Sequence, residues 1–549
     1  MLSYTPPLKD MQFVLNEVLQ APEFLATLPA FADVDAGLMQ QVMEEAGRFS
    51  AEILFPLNAP GDRNGCLFDQ GAVSTPHGFA DAYRQFCEAG WPALACSAEH
   101  GGQGLPHVLN GVLYEMLCST NHGWTMYPGL LHGAYACISE HASEELKARY
   151  LPRIVSGEWL PTMCLTEPQA GSDLGLLRTR AEPAADGSYA ISVSNIFISG
   201  GEQDLTENIV HLVLARLPDA PPGSKGVSLF LVPKFLPDGS GGVVASGAPG
   251  ATGVPGAAGD PGAAVAPGTG LGARNAVHCT GIEHKMGIRG SATCSMQFEQ
   301  ATGWLIGDAN RGVSAMFVMM NAARLHVGLQ GLGIAETAYQ NSLAYARERL
   351  QMKAVGRPAS RQREAADPIA MHPAVQRLLM TQRVYVEGGR MLAYWAGLIS
   401  DGAEHHPDQE VRDALHEQGS LITPVLKAML TEQGFQGASN ALQVFGGHGF
   451  ISETGIEQYM RDARVTMIYE GTNEIQAIDL LVRKVLADKG ARLQYFLKQV
   501  DATAEGESAN ELALHAGKLS QLLARMRDVT QAITEAAANH PALPYRIAP

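Results

Sequence analysis

The chain has 549 residues, 46% of them apolar and 17% charged, with a formal net charge of −17 and a pI near 5.5. That length and apolar share leave room for three or four domains with ample core. The acidic balance excludes nucleic acid as a general partner, because phosphate binding needs a basic footprint.

Residues 1–158 read as a helical domain. Met11, Leu15, Val18 and Leu19 fall on one helical face, and further apolar sets follow between Leu38 and Leu54. The first residues, Met1 to Pro7, carry no charged stretch leading into an apolar core, so no secretory signal is expected. From 159 to 305, short β-branched and aromatic runs such as Tyr189–Val193 and Ile209–Leu214 alternate with Gly, Pro and Asp clusters. They predict a central antiparallel β domain. Inside it, about 237–272, lies a Gly/Ala/Pro/Val segment that reads as a flexible surface loop.

Helical periodicity returns over 306–488. One helix runs from Met316 to about Arg349, another begins near Pro373 and a third near Pro424, each proline where a first turn tolerates it. Gly328-Leu329-Gln330-Gly331-Leu332-Gly333 lacks the spacing of a dinucleotide fingerprint and reads as a close helix contact. His405-His406 reads as a solvated loop, and no metal site is expected. Residues 489–549 form an additional helical tail with Leu519, Leu522, Leu523, Met526 and Ile533 on one side. The fold class is α+β. No run of 18 apolar residues marks a membrane span. Eight scattered cysteines without a CxxC pair read as reduced thiols of a cytoplasmic protein.

Four segments carry chemistry. Met163-Cys164-Leu165-Thr166-Glu167-Pro168-Gln169-Ala170-Gly171-Ser172 offers two hydroxyls around a small turn, suited to a phosphate or a heteroaromatic ring, or simply to a turn between strands. In Ile196-Phe197-Ile198-Ser199 an aromatic beside a strand suits a flat cofactor, or the core. Asn321-Ala322-Ala323-Arg324 puts a cation on an apolar helix, as an ion pair or an anion contact. The last segment runs from Gln443-Val444-Phe445-Gly446-Gly447 through Arg461-Asp462-Ala463-Arg464 to Tyr469-Glu470-Gly471-Thr472-Asn473-Glu474. Its glycines stop a helix and admit close backbone approach. Glu470, between apolar neighbours and a glycine, is either a desolvated base or a glutamate favoured by a helix dipole.

In this order and spacing the four segments resemble the acyl-CoA dehydrogenase family, over nearly the whole chain to about Asp488. The segment Glu283-His284-Lys285-Met286-Gly287-Ile288-Arg289-Gly290 and the terminal additions are similar in particular to 3-methylmercaptopropionyl-CoA dehydrogenases. The resemblance implies a helical N-terminal domain, a central β domain and a C-terminal four-helix bundle. It also implies FAD as cofactor, an acyl-CoA substrate, a homodimer or homotetramer, and an electron-transfer flavoprotein as electron acceptor.

Carried over residue by residue, it implies that Met163, Leu165, Thr166, Gly171 and Ser172 line the flavin, backed by Phe197, Ile198 and Ser199. Gln443, Gly446, Gly447 and Arg349 would reach the FAD of a neighbouring subunit, although Met352 stands where relatives carry an aromatic. Thr472 and Glu474 would approach the flavin, while Ser172, Asn321, Arg324 and Gly471 would meet the substrate. Glu470 would be the catalytic base, since Ala323 occupies the other position at which relatives place a glutamate. The Glu470 backbone N–H and a flavin ribityl hydroxyl would hold the thioester carbonyl.

An oxygen-using acyl-CoA oxidase would share these features. A nucleic-acid-associated relative would want a basic tail, but residues 491–549 balance six Lys/Arg against six Asp/Glu. A cofactor-free helical protein is the third alternative.

Overall fold

The computed structural model describes residues 2–238, 271–506 and 511–548. Its N-terminal part comprises α1 (Leu8–Gln12), α2 (Ala21–Leu25), α3 (Ala36–Arg48), α4 (Phe55–Asn64), the hairpin β1 (Leu67–Asp69) and β2 (Ala72–Ser74), α5 (Phe79–Glu88), α6 (His107–Thr120), α7 (His122–Thr125), α8 (Leu131–His141) and α9 (Glu144–Val155). Helix α6 is buried almost all round, as expected of an apolar helix without a polar stripe.

The first helical face differs from the periodicity reading. Phe13–Val18 is π-helical, so Val14 and Leu15 are buried while Val18 is exposed. A wider turn rotates the apolar face away from ideal α spacing.

The central strands are β3 (Trp159–Cys164), β4 (Arg180–Pro183), β5 (Tyr189–Ser199), β6 (Asn208–Ala215), β7 (Ser228–Pro233), β8 (Phe235–Pro237), β9 (Leu271–Arg274), β10 (Val277–Ile282) and β11 (Thr293–Ile306). Seven of them form one sheet in the order β3-β6-β7-β11-β5-β4, with β10 on β11. The pairing is antiparallel except β3 with β6, which run parallel. The intervening β4–β5 excursion supplies the long crossover that a parallel pair needs, so the expectation of a purely antiparallel domain is corrected there. Strands β6 and β7 are buried on both faces, which explains their unbroken apolar runs. The strands β8 and β9 pair through Pro237 and Leu271. Most of the segment read as a flexible loop, 239–270, lies outside the described residues.

Helices α10 (Gly312–Glu348), α11 (Pro373–His405), α12 (Gln409–Phe445), α13 (Ile456–Thr466) and α14 (Asn473–Ile478) follow. Helices α10 and α12 run parallel and touch backbone to backbone. A Cβ on Gly434 would lie 2.6 Å from the Gly331 carbonyl oxygen, and one on Gly331 2.3 Å from that of Leu430. Only glycine permits this approach.

Buried Arg390 of α11 bonds Glu115 of α6 (Nε–Oε1 2.9 Å) and Glu336 of α10 (Nη2–Oε2 2.6 Å), and the Tyr394 hydroxyl donates to Glu115 at 2.6 Å. A buried guanidinium needs such pairing to offset its desolvation.

Several boundaries move. Helix α10 begins four residues before Met316. Helix α12 begins after Asp408, whose carboxylate accepts from the Glu410 N–H, and Pro424 lies four turns inside it. Packing by α10 and α11 sustains the helix through the proline's missing donor. His405 closes α11 with its ring edge-on to Phe31 at 4.7 Å and is not a solvated loop. Among the described residues, no ligand cluster suits a metal and no helix is long and apolar enough to cross a membrane.

The tail comprises α15 (Ala491–Gly506), α16 (Ala513–Asn539) and α17 (Leu543–Ile547). Leu493, Leu497 and Leu523 pack with Leu421 and Val485 of the bundle region. Leu522 and Met526, expected on the packed side, face outward. The buried stripe is narrower than the apolar one.

Candidate active site

Glu470 lies in the short connection between α13 and α14. It has a left-handed backbone (φ 55°), followed by Gly471 at φ 81°. A left-handed non-glycine residue costs free energy and persists only where its surroundings impose it. Here the surroundings are specific. Gln476 Nε2 donates to the Glu470 carbonyl at 3.1 Å and to that of Gly471 at 3.2 Å, and Lys427 Nζ donates to the Gly471 carbonyl at 2.8 Å. Thr472 caps α14, its hydroxyl accepting from the Ile475 N–H. Among the described residues the Glu470 N–H donates to no backbone acceptor.

On the other side, the Tyr469 hydroxyl reaches Gln330 of α10, His122 Nε2 of α7 (3.3 Å) and Met126 Sδ (3.6 Å). Burial holds His122 down to about 4, so it is neutral.

Glu470 is half-buried as a residue, with its carboxyl group enclosed by protein. Burial pushes its pKa up to about 7, opposed by the cations Arg324 and Lys427. That is the range in which a carboxylate both accepts a proton and returns it near neutral pH. Arg324 is buried on α10. Its Nη1 bonds Asn321 Oδ1 at 3.3 Å and lies 3.8 Å from Asp479, and its guanidinium sits over the Phe317 ring at 5.6 Å. Its Nε has no partner among the described residues. The ion-pair reading of this cation holds, and it has a donor to spare. Asn321 itself is exposed.

The strand residues approach through Met126 and Tyr127. While Met126 touches Tyr469, a side chain at Gly200 would meet Tyr127 at 3.4 Å, and the Tyr127 hydroxyl accepts from the Ala292 N–H at 2.9 Å. The end of β5 and the residue preceding Glu470 thus both touch one dipeptide. There Phe197 adopts φ 62° and is 58% exposed, at a register shift opposite Ser295. It is not a regular strand residue: the bulge turns its ring out of the core. Ile198 is buried and Ser199 half-buried.

Thr166 accepts at its carbonyl from the Ile196 N–H (2.9 Å) and Asn195 Nδ2 (3.1 Å), leaving buried Asn195 Oδ1 unpartnered among the described residues. Met163 and Leu165 are half-buried, and Gly171 and Ser172 are exposed. Strand β3, at the end of the sheet order, leaves outer-edge backbone groups free for a ligand. An exposed aromatic face, an edge of backbone donors and an orphaned amide oxygen fit a flat heteroaromatic group.

A second group of expected residues lies elsewhere. Arg349 ends α10, and Gln443, Gly446 and Gly447 end α12, all exposed. Tyr345 stacks on Phe445 at 4.2 Å and bonds His448 Nδ1 at 3.1 Å, joining the two helix ends. Gln443 is sixteen residues beyond Lys427, or roughly 24 Å along the axis, and Arg349 roughly 37 Å beyond Arg324. The two groups are therefore not brought together in one chain. Glu474, also exposed, lies in the first turn of α14, where backbone N–H and the Thr472 hydroxyl hold its carboxyl below the usual range.

Lys427, Gln330 and Gln476 escaped the sequence reading. Lys427 carried the same signal that marked Arg324, a lone cation inside an apolar helical run.

The chain matches the family models for the acyl-CoA dehydrogenase N-terminal domain over residues 39–158 and C-terminal domain over 310–485. It is 42% identical over 526 residues to 3-methylmercaptopropionyl-CoA dehydrogenase of Ruegeria pomeroyi, covering 96% of this chain and 83% of that protein. It is 34% identical to the broad-specificity linear acyl-CoA dehydrogenase FadE5 of Mycobacterium tuberculosis, covering 97% and 84%. Among solved structures, Caenorhabditis elegans ACDH-11 in complex with C11-CoA superposes with a TM-score of 0.76 at 18% identity, covering 100% of this chain and 86% of that one.

Proposed function

Because the chain belongs to the acyl-CoA dehydrogenase family, we propose that it desaturates the α,β carbon pair of a short acyl-CoA thioester, 3-methylthiopropionyl-CoA first among them, with FAD as cofactor and Glu470 as base. The observation that carries this reading is the placement of Glu470: a carboxyl group tuned to about 7, on a left-handed connection gripped by Lys427 and Gln476, next to Tyr469, which touches the same dipeptide as the end of β5. The relative 42% identical over 96% of the chain supports the substrate.

Bound flavin supplies the acceptor for the β-hydride, which no side chain can be. The chain does the rest. The strand group Met163, Leu165, Thr166, Phe197 and Ser199 orients the ring, and Asn321 and Arg324 receive the thioester end of CoA. The free Glu470 N–H aims at the thioester carbonyl, where it stabilises enolate character as the α-proton leaves. Glu470 takes that proton onto its carboxylate.

The exposed far-end residues Arg349, Gln443, Gly446 and Gly447 serve the FAD of a second copy, in a homodimer or homotetramer. Electrons pass on to an electron-transfer flavoprotein. The eight free cysteines suit a reducing cytoplasm.

Glu470→Gln keeps size and removes basicity. The purified variant should stay yellow and bleach with acyl-CoA some 10²–10⁴-fold more slowly. Wild-type bleaching in that variant would overturn the assignment.

A further inference from the structure

Lys427 is completely buried in the middle of α12. A buried ammonium needs acceptors and a counter-charge. Its acceptors are the Gly471 carbonyl (2.8 Å) and Asn473 Oδ1 (3.0 Å), and the latter also accepts from the Thr431 hydroxyl at 3.2 Å. No carboxylate lies within ion-pair distance of it among the described residues. Burial lowers its pKa to about 8, opposed by Glu470 and more weakly by Glu474, so it carries its charge below that pH.

Two left-handed residues in succession do not hold themselves. The Lys427 ammonium and the Gln476 amide grip both carbonyls of that turn from the bundle side. Because a peptide unit is planar and trans, fixing the Glu470 carbonyl on one side turns the Gly471 N–H to the other.

We propose that Lys427 is a positioning residue for the base: it locks the left-handed turn that carries Glu470 and supplies a buried positive charge facing that carboxylate. The proposal rests on Glu470 being the base.

The charged surroundings are few. Arg324 of α10 also faces Glu470, but Asp479 meets it at 3.8 Å and Arg483 opposes it. Glu474 of α14, itself exposed, also faces Lys427. His122 of α7, behind Tyr469, is neutral. Lys427 is thus the cation near Glu470 with no carboxylate partner of its own.

The test uses the flavin-loaded enzyme, bleached in single turnover by 3-methylthiopropionyl-CoA and by butyryl-CoA between pH 5.5 and 9. Lys427→Gln keeps a donor for the Gly471 carbonyl without the charge; Lys427→Met keeps neither. Both should move the acid inflection of the rate upward by about one pH unit, because an opposite charge nearby lowers a carboxyl pKa by that much or more. The plateau should fall roughly tenfold further in Lys427→Met, which loses the hydrogen bond as well. Lys427→Arg should retain the wild-type inflection.

A lysine that merely braced the bundle would lower the rate evenly across pH. An unmoved inflection in Gln and Met therefore overturns the proposal, and so does failure of both to fold with flavin. Should Glu470→Gln bleach normally, the base assignment fails instead, a result that reads out independently of Lys427.

Discussion

The two ends of the parallel pair α10 and α12 carry different kinds of site. At the near end, Arg324, Lys427 and the Glu470 carboxyl are enclosed, with the Arg324 Nε and the Glu470 N–H left without a backbone or side-chain partner among the described residues. At the far end, Arg349, Gln443, Gly446 and Gly447 stand in solvent around the Tyr345–Phe445 stack. Titration is tuned where water is excluded, and a surface awaiting a partner keeps its donors exposed. On the proposed function, the contrast separates the base and its surroundings, drawn from one chain, from cofactor retention, which the proposed second copy completes.

Crossed substitutions break that contrast most directly. Glu470→Gln should cost 10²–10⁴ in bleaching rate with flavin content unchanged. Removing the partner of Glu115 and Glu336, as in Arg390→Met, should cost about 3–5 kcal/mol, read as a lower urea midpoint. Glu336 lies between the two ends of α10, so both functions should weaken together.

Arg349→Ala should weaken flavin retention roughly ten- to a hundredfold, the worth of a charge-assisted hydrogen bond. Ultrafiltration of the yellow protein measures it, and the rate per bound flavin should hold. If Arg349→Ala instead slows bleaching at full flavin, the separation of the two ends is wrong.

The pH profile sharpens the near end. As the proposed base, Glu470 works when ionised, and burial raises its pKa to about 7. The bleaching rate should therefore rise about tenfold per unit below pH 7 and level off above it. An inflection near the ordinary glutamate value would place Glu470 in water. The smallest effect belongs to the tail: Leu522→Ser, on the outward face of α16, should change stability by less than about 0.5 kcal/mol.

The sequence made the layout legible wherever local chemistry dictates it. Gly446 ends α12, and the apolar runs of β6 and β7 are buried strands. The glycines from Gly328 to Gly333 do mark a close helix contact. It misled where tertiary packing overrides local preference: Pro424 inside α12, the π turn that hides Val14 in place of Val18, and the parallel seating of β3. At the candidate site, Glu470 and Arg324 are each legible as an unusual charge. Lys427 was not read, because only the fold shows that residue 427 meets the carbonyl of residue 471. Phe197 was read for its ring, but its bulge depends on a register set 98 residues later, opposite Ser295.

The Gly331–Gly434 crossing has a consequence for how such a centre can be retuned. Each glycine lies seven residues beyond a cation, Arg324 on one helix and Lys427 on the other, so the crossing acts as a fulcrum two turns from both. A methyl group there, as in Gly434→Ala, must spread the helices, and the spread carries to the pair of charges flanking the carboxylate. Acidity at Glu470 can then drift through a change that never touches it.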